Sequence, residues 1–470
     1  MSLAILPRRL YATEYMVPPS KRLGELPGAA QVYPDTMRIA LPSISETILV
    51  ALVAIIDTQM VSNVGTAAIA AVGITLHPRF LVMAVVIALN IAVTSVVARR
   101  RGEGDPIGAN RCLRQSIILS GASSILLSGV AYIFREDILW LAGAQPDTIE
   151  LASEYFAILL MGLPLFCVSL TISAAQRGVG SAKIAMRVNI IGNIVKVIFN
   201  ILLIEGLLFF PGLGVAGAGV ATVIGWGVSF ILAVASLFHR DGFLSFFSPG
   251  SWSFDRGTLT ALFIVFSGSI ADNIFIRIGL MIHTRLVSGL GTTMFAANAI
   301  AVNMALLSFS VGEGLSIASS ALVGQSLGKK RPDLAEMYGK TCQRIALAFC
   351  TVIFSLYSFG GGLLFRIFTE DPDIIAAGRQ VMVVLSLVTF IQCSQFIFLG
   401  LLRGAGDTRY SAVVALICIL IVRPIAAWIF IYQLHLGVLG GWFAMALDQS
   451  LRFVLTYHRV RSGKWAAINI

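Results

Sequence analysis

Charge is scarce in this sequence. Only 12% of its 470 residues are Asp, Glu, Lys or Arg, whereas 57% are hydrophobic and the mean hydropathy is +0.87. An ordinary soluble domain carries about 25% charged residues. A water-soluble surface needs more polar cover than this chain has to offer. A soluble enzyme, a nucleic-acid-binding domain, a coiled coil and a disordered chain are therefore excluded. Cysteine is also sparse. Cys112, Cys167, Cys342, Cys350, Cys393 and Cys418 form no CxxC pair and no metal-ligand spacing, so they read as small buried hydrophobes. No nucleophile elbow, phosphate loop or metal cluster is present, so neither an enzyme nor a bound cofactor is expected. The first 36 residues lack the apolar core of a signal peptide. Their arginines, lysine and prolines predict a cytoplasmic arm, partly disordered or interfacial.

What the chain has is apolar length. Runs at 39–61, 76–98, 113–134, 151–175, 188–210, 213–238, 258–284, 293–322, 344–368, 375–402, 411–433 and 436–458 can each cross a bilayer core of ~30 Å. Such spans must be helical, because unpaired backbone groups are too costly in lipid. The expected fold is an all-α polytopic membrane protein with 12 transmembrane helices. The expected organisation is a cytoplasmic arm over 1–36, a first lobe over 37–240, a second lobe over 241–460 and a cytoplasmic tail over 461–470. The net charge of +10 reports topology rather than nucleic acid. The N-terminal segment up to Arg38, the 2–3 loop with Arg114 and the 8–9 loop with Arg344 hold five Lys and Arg each. All the loops of the opposite side together hold Arg79, Arg135, Arg285, Arg366 and Arg379. The positive-inside rule then puts both termini in the cytoplasm.

The sequence also repeats. Residues 56–71 (IDTQMVSNVGTAAIAA) lie on 282–297 (IHTRLVSGLGTTMFAA), 226 positions further on, with eight identities. At the same shift Gly102 and Pro106 meet Gly328 and Pro332, QPDT (145–148) meets DPDI (371–374), and RGVG (177–180) meets RGAG (403–406). GVAG (214–217) meets GVLG (437–440) once three residues are dropped. Two six-helix lobes of equal orientation follow, related by a pseudo-twofold axis along the membrane normal. Transporters built this way place the substrate path between lobes that alternate in access.

The duplicated motifs resemble those of MATE (multidrug and toxic compound extrusion) transporters over residues 36–460. They are the Asp57-Thr58 … Val61-Ser62-x-x-Gly65 stretch, its second copy ending at Gly291, the RGxG turns after helices 4 and 10, and the Gly214-Val215-x-Gly217-Ala218 … Thr222 start of helix 6. The resemblance implies a two-lobed exporter of small organic, often cationic, compounds in exchange for H⁺ or Na⁺ in the cell (inner) membrane. In the DinF-like branch the helix 1 aspartate, matched by Asp57, works with an Asn and an Asp on helix 5 and a Thr on helix 6. Those places hold Lys196, Asn200 and Thr222 here, so two of the four depart from the pattern. The carboxylates that the other bacterial branch uses on helices 7 and 10 fall near Ile276 and Gln392, which argues against a Na⁺ site built from several carboxylates.

An ionisable side chain inside a membrane span is costly and points to function. Asp57 and Lys196 are the leading pair, either as a proton-linked switch or as a static ion pair that locks the lobe. Asn193, Lys196 and Asn200 share one face of helix 5, which lines a cavity or serves as interhelical glue. Glu46 and Asp272 are repeat equivalents. Asp272, Asn273 and Arg277 on helix 7 line a substrate cavity or pair with one another. Gln392 and Gln395 on helix 10 contact substrate or simply pack. Arg423 directly precedes Pro424 and is expected to cap carbonyls freed by the proline. The function expected is proton-coupled export of a small organic substrate by a monomer, with no nucleic-acid partner. The intramembrane cations leave an anionic substrate, or a lipid-linked glycan flippase, as the alternative. A channel or a non-transporting receptor is the reading from another class.

Overall fold

A computed structural model of the chain describes residues 12–62, 64–204, 206, 212–239, 242–250, 252–366, 368–369, 371–468 and 470. Those residues are all-helical and contain no strand. The long helices are α1 (Ala29–Ser62), α2 (Thr66–Glu103), α3 (Pro106–Ile133), α4 (Ile149–Gly178), α5 (Ala182–Ile204) and α6 (Gly214–Ala235). They continue as α7 (Arg256–Ser288), α8 (Thr292–Gly328), α9 (Pro332–Arg366), α10 (Pro372–Ala405), α11 (Thr408–Gln433) and α12 (Gly437–Arg461). Within α11 the turns at Leu416–Val422 and Ile429–Gln433 widen to π-helix.

Eleven of these helices are long and apolar enough to cross a membrane. The one left out is α12, whose middle carries Asp448, Gln449 and Arg452. All three are buried by the protein itself, so a helix of 25 residues still has the length of a span while failing on composition.

The ends of the helices extend past the apolar runs. Helix α1 starts at Ala29, ten residues before the run at 39. Its first turn buries Val32 against Met16, Val17 and Met337 of α9. The part of the expected cytoplasmic arm from residue 12 onward thus packs on α9, while residues 1–11 lie outside the described residues. The Leu23 amide donates to Asp333 Oδ2 (3.0 Å), Lys340 Nζ donates to the Met16 carbonyl (2.6 Å), and Arg331 Nη2 donates to the Glu25 carbonyl (3.1 Å). Two buried apolar side chains and three hydrogen bonds to a neighbouring helix end are enough to order a short polar segment.

The internal repeat is built into the backbone. Gly65 and Gly291, one shift apart, both take positive φ (140° and 93°), as do Gly180 and Gly406 in the RGxG turns (90° and 88°). Gly214 and Gly437, ahead of α6 and α12, follow suit (53° and 57°). Packing repeats as well. Helix α4 packs on α2, α3 and α6, and α10 packs on α8, α9 and α12; α5 packs on α6, and α11 packs against α12. Gly178 lies so close to α2 that a Cβ would sit 2.9 Å from the Thr94 carbonyl oxygen. Its equivalent Gly404 meets the carbonyl of Ser320, the equivalent of Thr94. Small residues let membrane helices approach this closely.

Contacts divide the chain into two compact units. One comprises Ile48–Phe263, and the other comprises the residues up to Thr47 together with Ile264–Ile470. Helix α1 therefore contributes its first half to one unit and its second half, with Asp57, to the other.

Candidate functional site

The unit of Ile48–Phe263 brings Asp57 of α1 to Lys196 and Asn200 of α5. Lys196 Nζ donates to Asp57 Oδ2 in a direct ion pair, and Asn200 Nδ2 donates to Asp57 Oδ1 over 2.8 Å. Lys196 and Asn200 are four residues apart, one turn, so the α5 face presents both donors to one carboxylate. The pair keeps some exposure, 17% for the Lys196 side chain and 23% for Asp57. Lys196 has room because position 225 of α6 is glycine. A Cβ there would lie 2.8 Å from Lys196 Cβ and 2.7 Å from the Gly192 carbonyl oxygen. Thr222 of α6 is buried and donates to its own helix at Ala218 (2.8 Å), beside the buried phenol of Tyr155. Asn193 is half-buried and donates to the Asn189 carbonyl (2.8 Å), away from the carboxylate.

The two oxygens of Asp57 are thus occupied by N–H donors. Na⁺ is a hard cation and takes oxygen ligands, and among the described residues no second carboxylate pairs with the donors that hold this one. Among the described residues no three His, Cys, Asp or Glu side chains gather as a metal-binding group.

The remaining candidates lie in the other unit or on its half of α1. Glu46 is buried (8% exposed), eleven residues from Asp57 and so about 16 Å away along α1. Asp272 pairs with Arg403, whose Nη2 donates to Asp272 Oδ2 (3.1 Å), with Glu313 at 4.0 Å from the same guanidinium. Neither Asn273 nor Arg277 takes that place. Asn273 Nδ2 donates to the Ser269 carbonyl (2.8 Å), and Arg277 is exposed. Gln392 and Gln395 of α10 are buried at 0% and 1% exposure.

Arg423 departs from its expected role. It makes no hydrogen bond to any backbone carbonyl among the described residues. Its Nε instead lies 3.2 Å from Asp448 Oδ2 on α12, while Arg452 Nη2 donates to the same oxygen (3.1 Å). A buried guanidinium gains more from a carboxylate than from one freed carbonyl, and the wide turns on either side of Pro424 reshape the backbone around the proline locally.

Sequence reasoning missed Asp448, Arg452 and His283. Asp448 and Arg452 sit late in a run read as apolar, although the rule applied to Asp57 covers them equally. His283 was in view, because the 226-residue shift sets it on Asp57. Its buried Nδ1 has no partner, and Arg423 acts on it electrostatically.

Known proteins share the duplicated organisation. The MatE family model matches twice, at residues 42–202 and 269–429, one match to each copy of the repeat. A probable multidrug resistance protein NorM of Thermotoga maritima is 26% identical over 440 residues, covering 93% of each chain. The protein of that name in Pseudomonas putida is 27% identical over 422 residues, covering 87% of this chain and 90% of the relative. Among solved structures, an outward-facing multidrug resistance MATE family transporter of the MOP superfamily superposes with a TM-score of 0.86 at 21% identity, over 92% of this chain and 96% of that one. A MOP superfamily transporter from Pyrococcus furiosus, described as having a binding pocket of reverse polarity, gives 0.85 at 21%, over 93% and 97%. The fold is therefore the two-lobed, twelve-helix fold of those transporters, and the chain belongs to the MATE family of membrane transporters.

Proposed function

We propose that this protein exports small organic compounds in exchange for protons, and that Asp57 is the group through which the proton acts. The carboxylate–ammonium–amide arrangement of Asp57, Lys196 and Asn200 carries this reading. Protonation of Asp57 removes its charge and dissolves the ion pair. The Lys196 ammonium is then left in a poorly hydrated place and favours a conformation in which it finds another partner or water. Return of the proton to solution restores the pair. Substrate and proton compete because both act on this one partly exposed carboxylate.

Asp57 binds H⁺ in preference to Na⁺ on this account, since both its oxygens already face N–H donors and a tethered ammonium stands where a free cation would bind. The two six-helix halves alternate access to the two sides, and both termini lie in the cytoplasm, a reading that the distribution of Lys and Arg supports. The names of the relatives support multidrug substrates. The experiment is transport in proteoliposomes under imposed gradients. A pH gradient should drive efflux of an organic dye and a Na⁺ gradient alone should not; efflux driven by Na⁺ at uniform pH contradicts the proposal.

A further inference from the structure

The unit of Ile264–Ile470 holds a second buried charge cluster that proton coupling at Asp57 does not use. Arg423 of α11 is 5% exposed, Asp448 of α12 is 0% exposed, and Arg452 of α12 is 9% exposed. Arginine keeps its proton at any accessible pH. Two fixed positive charges therefore face one carboxylate, and His283 adds no negative charge. Other acids of these helices are taken elsewhere: Asp272 and Glu313 face Arg403, and Asp407 faces Arg459. An uncompensated charge in a membrane interior is expensive enough that it needs a counter-charge.

Hydrogen bonding points the same way. Both arginines approach a single oxygen, Asp448 Oδ2. Among the described residues Arg423 makes no hydrogen bond, only the ion pair, and the Nε atoms of Arg423 and Arg452 have no hydrogen-bond partner. Five N–H donors belong to each guanidinium, and a single one of the ten is committed. Asp448 Oδ1 also lacks a partner; turning one guanidinium edge onto it frees the other edge for a ligand.

Neutral amides lie on the same helix as Asp448 and on a helix packed against it. Gln449 is the next residue on α12, with Oε1 unpartnered, and Gln392 on α10 has both amide atoms unpartnered. Phe398 of α10 packs on Phe453 of α12 with ring centroids 5.7 Å apart. Gln392 lies six residues before Phe398 and Asp448 five before Phe453. At about 1.5 Å per residue the two stand at matching depth. The fold does not require this chemistry. At the 223-residue shift that sets Gly214 on Gly437, Asp448 falls on Gly225 and Arg452 on Ser229. The first copy of the same scaffold packs without either charge.

We infer that Arg423, Asp448 and Arg452, with the adjacent amide of Gln449, form a binding site for a small monovalent anion of halide or carboxylate type. A chloride ion from solution and the carboxylate of an organic solute share the chemistry the site selects. This inference stands apart from the coupling role of Asp57.

The test is thermal unfolding of the full chain in lipid nanodiscs at constant ionic strength and constant sodium. Chloride and acetate are each titrated in place of a bulky organic sulfonate. One of them should raise the melting temperature saturably, by roughly 3 °C. A response to chloride alone makes the ligand an inorganic ion, and a response to acetate makes it a carboxylate solute. Arg423→Gln should weaken the apparent affinity at least tenfold. Asp448→Asn enlarges the positive excess and should strengthen it. The inference is overturned if neither anion exceeds the sulfonate in the native protein, or if Arg423→Gln keeps the response. Should Arg423→Gln fail to fold, an Asp448→Asn response that is unchanged or weaker overturns it.

Discussion

Two copies of one helical unit have put different chemistry at matching positions. In the first copy a carboxylate on α1 meets an ammonium on α5, and the α6 position behind them is glycine. In the second copy α7 carries a histidine where α1 carries the acid, α11 carries Arg423, and the acid has moved to α12 as Asp448. The first site is neutral as a pair and partly exposed. The second is deeply buried and carries a fixed positive excess. The scaffold therefore dictates where polar groups are tolerated between helices, while the residue type sets the charge each site carries.

The sharpest way to break this contrast is to neutralise the α1 acid and its repeat equivalent in parallel. Asp57→Asn should reduce pH-driven efflux to the leak of empty liposomes, whereas His283→Asn should leave efflux running; equal losses would mean that the two copies share the coupling. The next largest effect concerns stability. Asp448→Asn strands two buried arginines and should cost about 3–5 kcal/mol, read by thermal or denaturant unfolding in sulfonate buffer, with part of the loss recovered in the anion that binds. Asp57→Asn strands one partly hydrated lysine and should cost clearly less in the same assay.

Gly225→Ala sharpens the comparison from the side of packing. A methyl group 2.7 Å from the Gly192 carbonyl oxygen and 2.8 Å from Lys196 Cβ should force α6 away from α5 and cost about 1–3 kcal/mol, measured by the same unfolding assay. It should also disturb the pH profile of transport, because Lys196 moves with α5. The smallest effect lies outside the spans. Asp255, ahead of α7, accepts hydrogen bonds from the Thr258 amide (2.9 Å) and hydroxyl (2.8 Å), and the amide bond leads in holding its carboxyl below the usual carboxylate range. A depressed pKa stabilises the folded state above the ordinary carboxylate pKa, and that contribution fades as pH falls through the lowered one. Asp255→Asn should therefore lower stability slightly at neutral pH and leave stability at strongly acidic pH unchanged.

Much of the architecture was legible in the sequence because its causes are local or periodic. Apolar length specifies spans, and the 226-residue shift specifies the duplicated unit down to the turn glycines Gly65 and Gly291. The pairing of Asp57 with Lys196 was legible too, since two opposite charges inside the spans of one copy of the repeat have few other places to go. Asp272 was harder. Its neighbour in sequence, Arg277, is exposed, and its partner Arg403 comes from the end of α10, 131 residues away. Arg423 was misread for the same reason: the adjacent Pro424 is a local cue, and the long-range carboxylate of Asp448 outweighs it. The helical start of α1 at Ala29 was hidden because residues 29–38 are held by α9 rather than by lipid.

Proton release on substrate binding tests the central claim most directly. Purified protein in weakly buffered nanodiscs is mixed with a transported dye at a series of pH values, and the protons released are counted with a pH indicator. The native protein should release protons as the dye binds, and Asp57→Asn should bind dye and release none. An undiminished release from Asp57→Asn would show that the proton resides elsewhere.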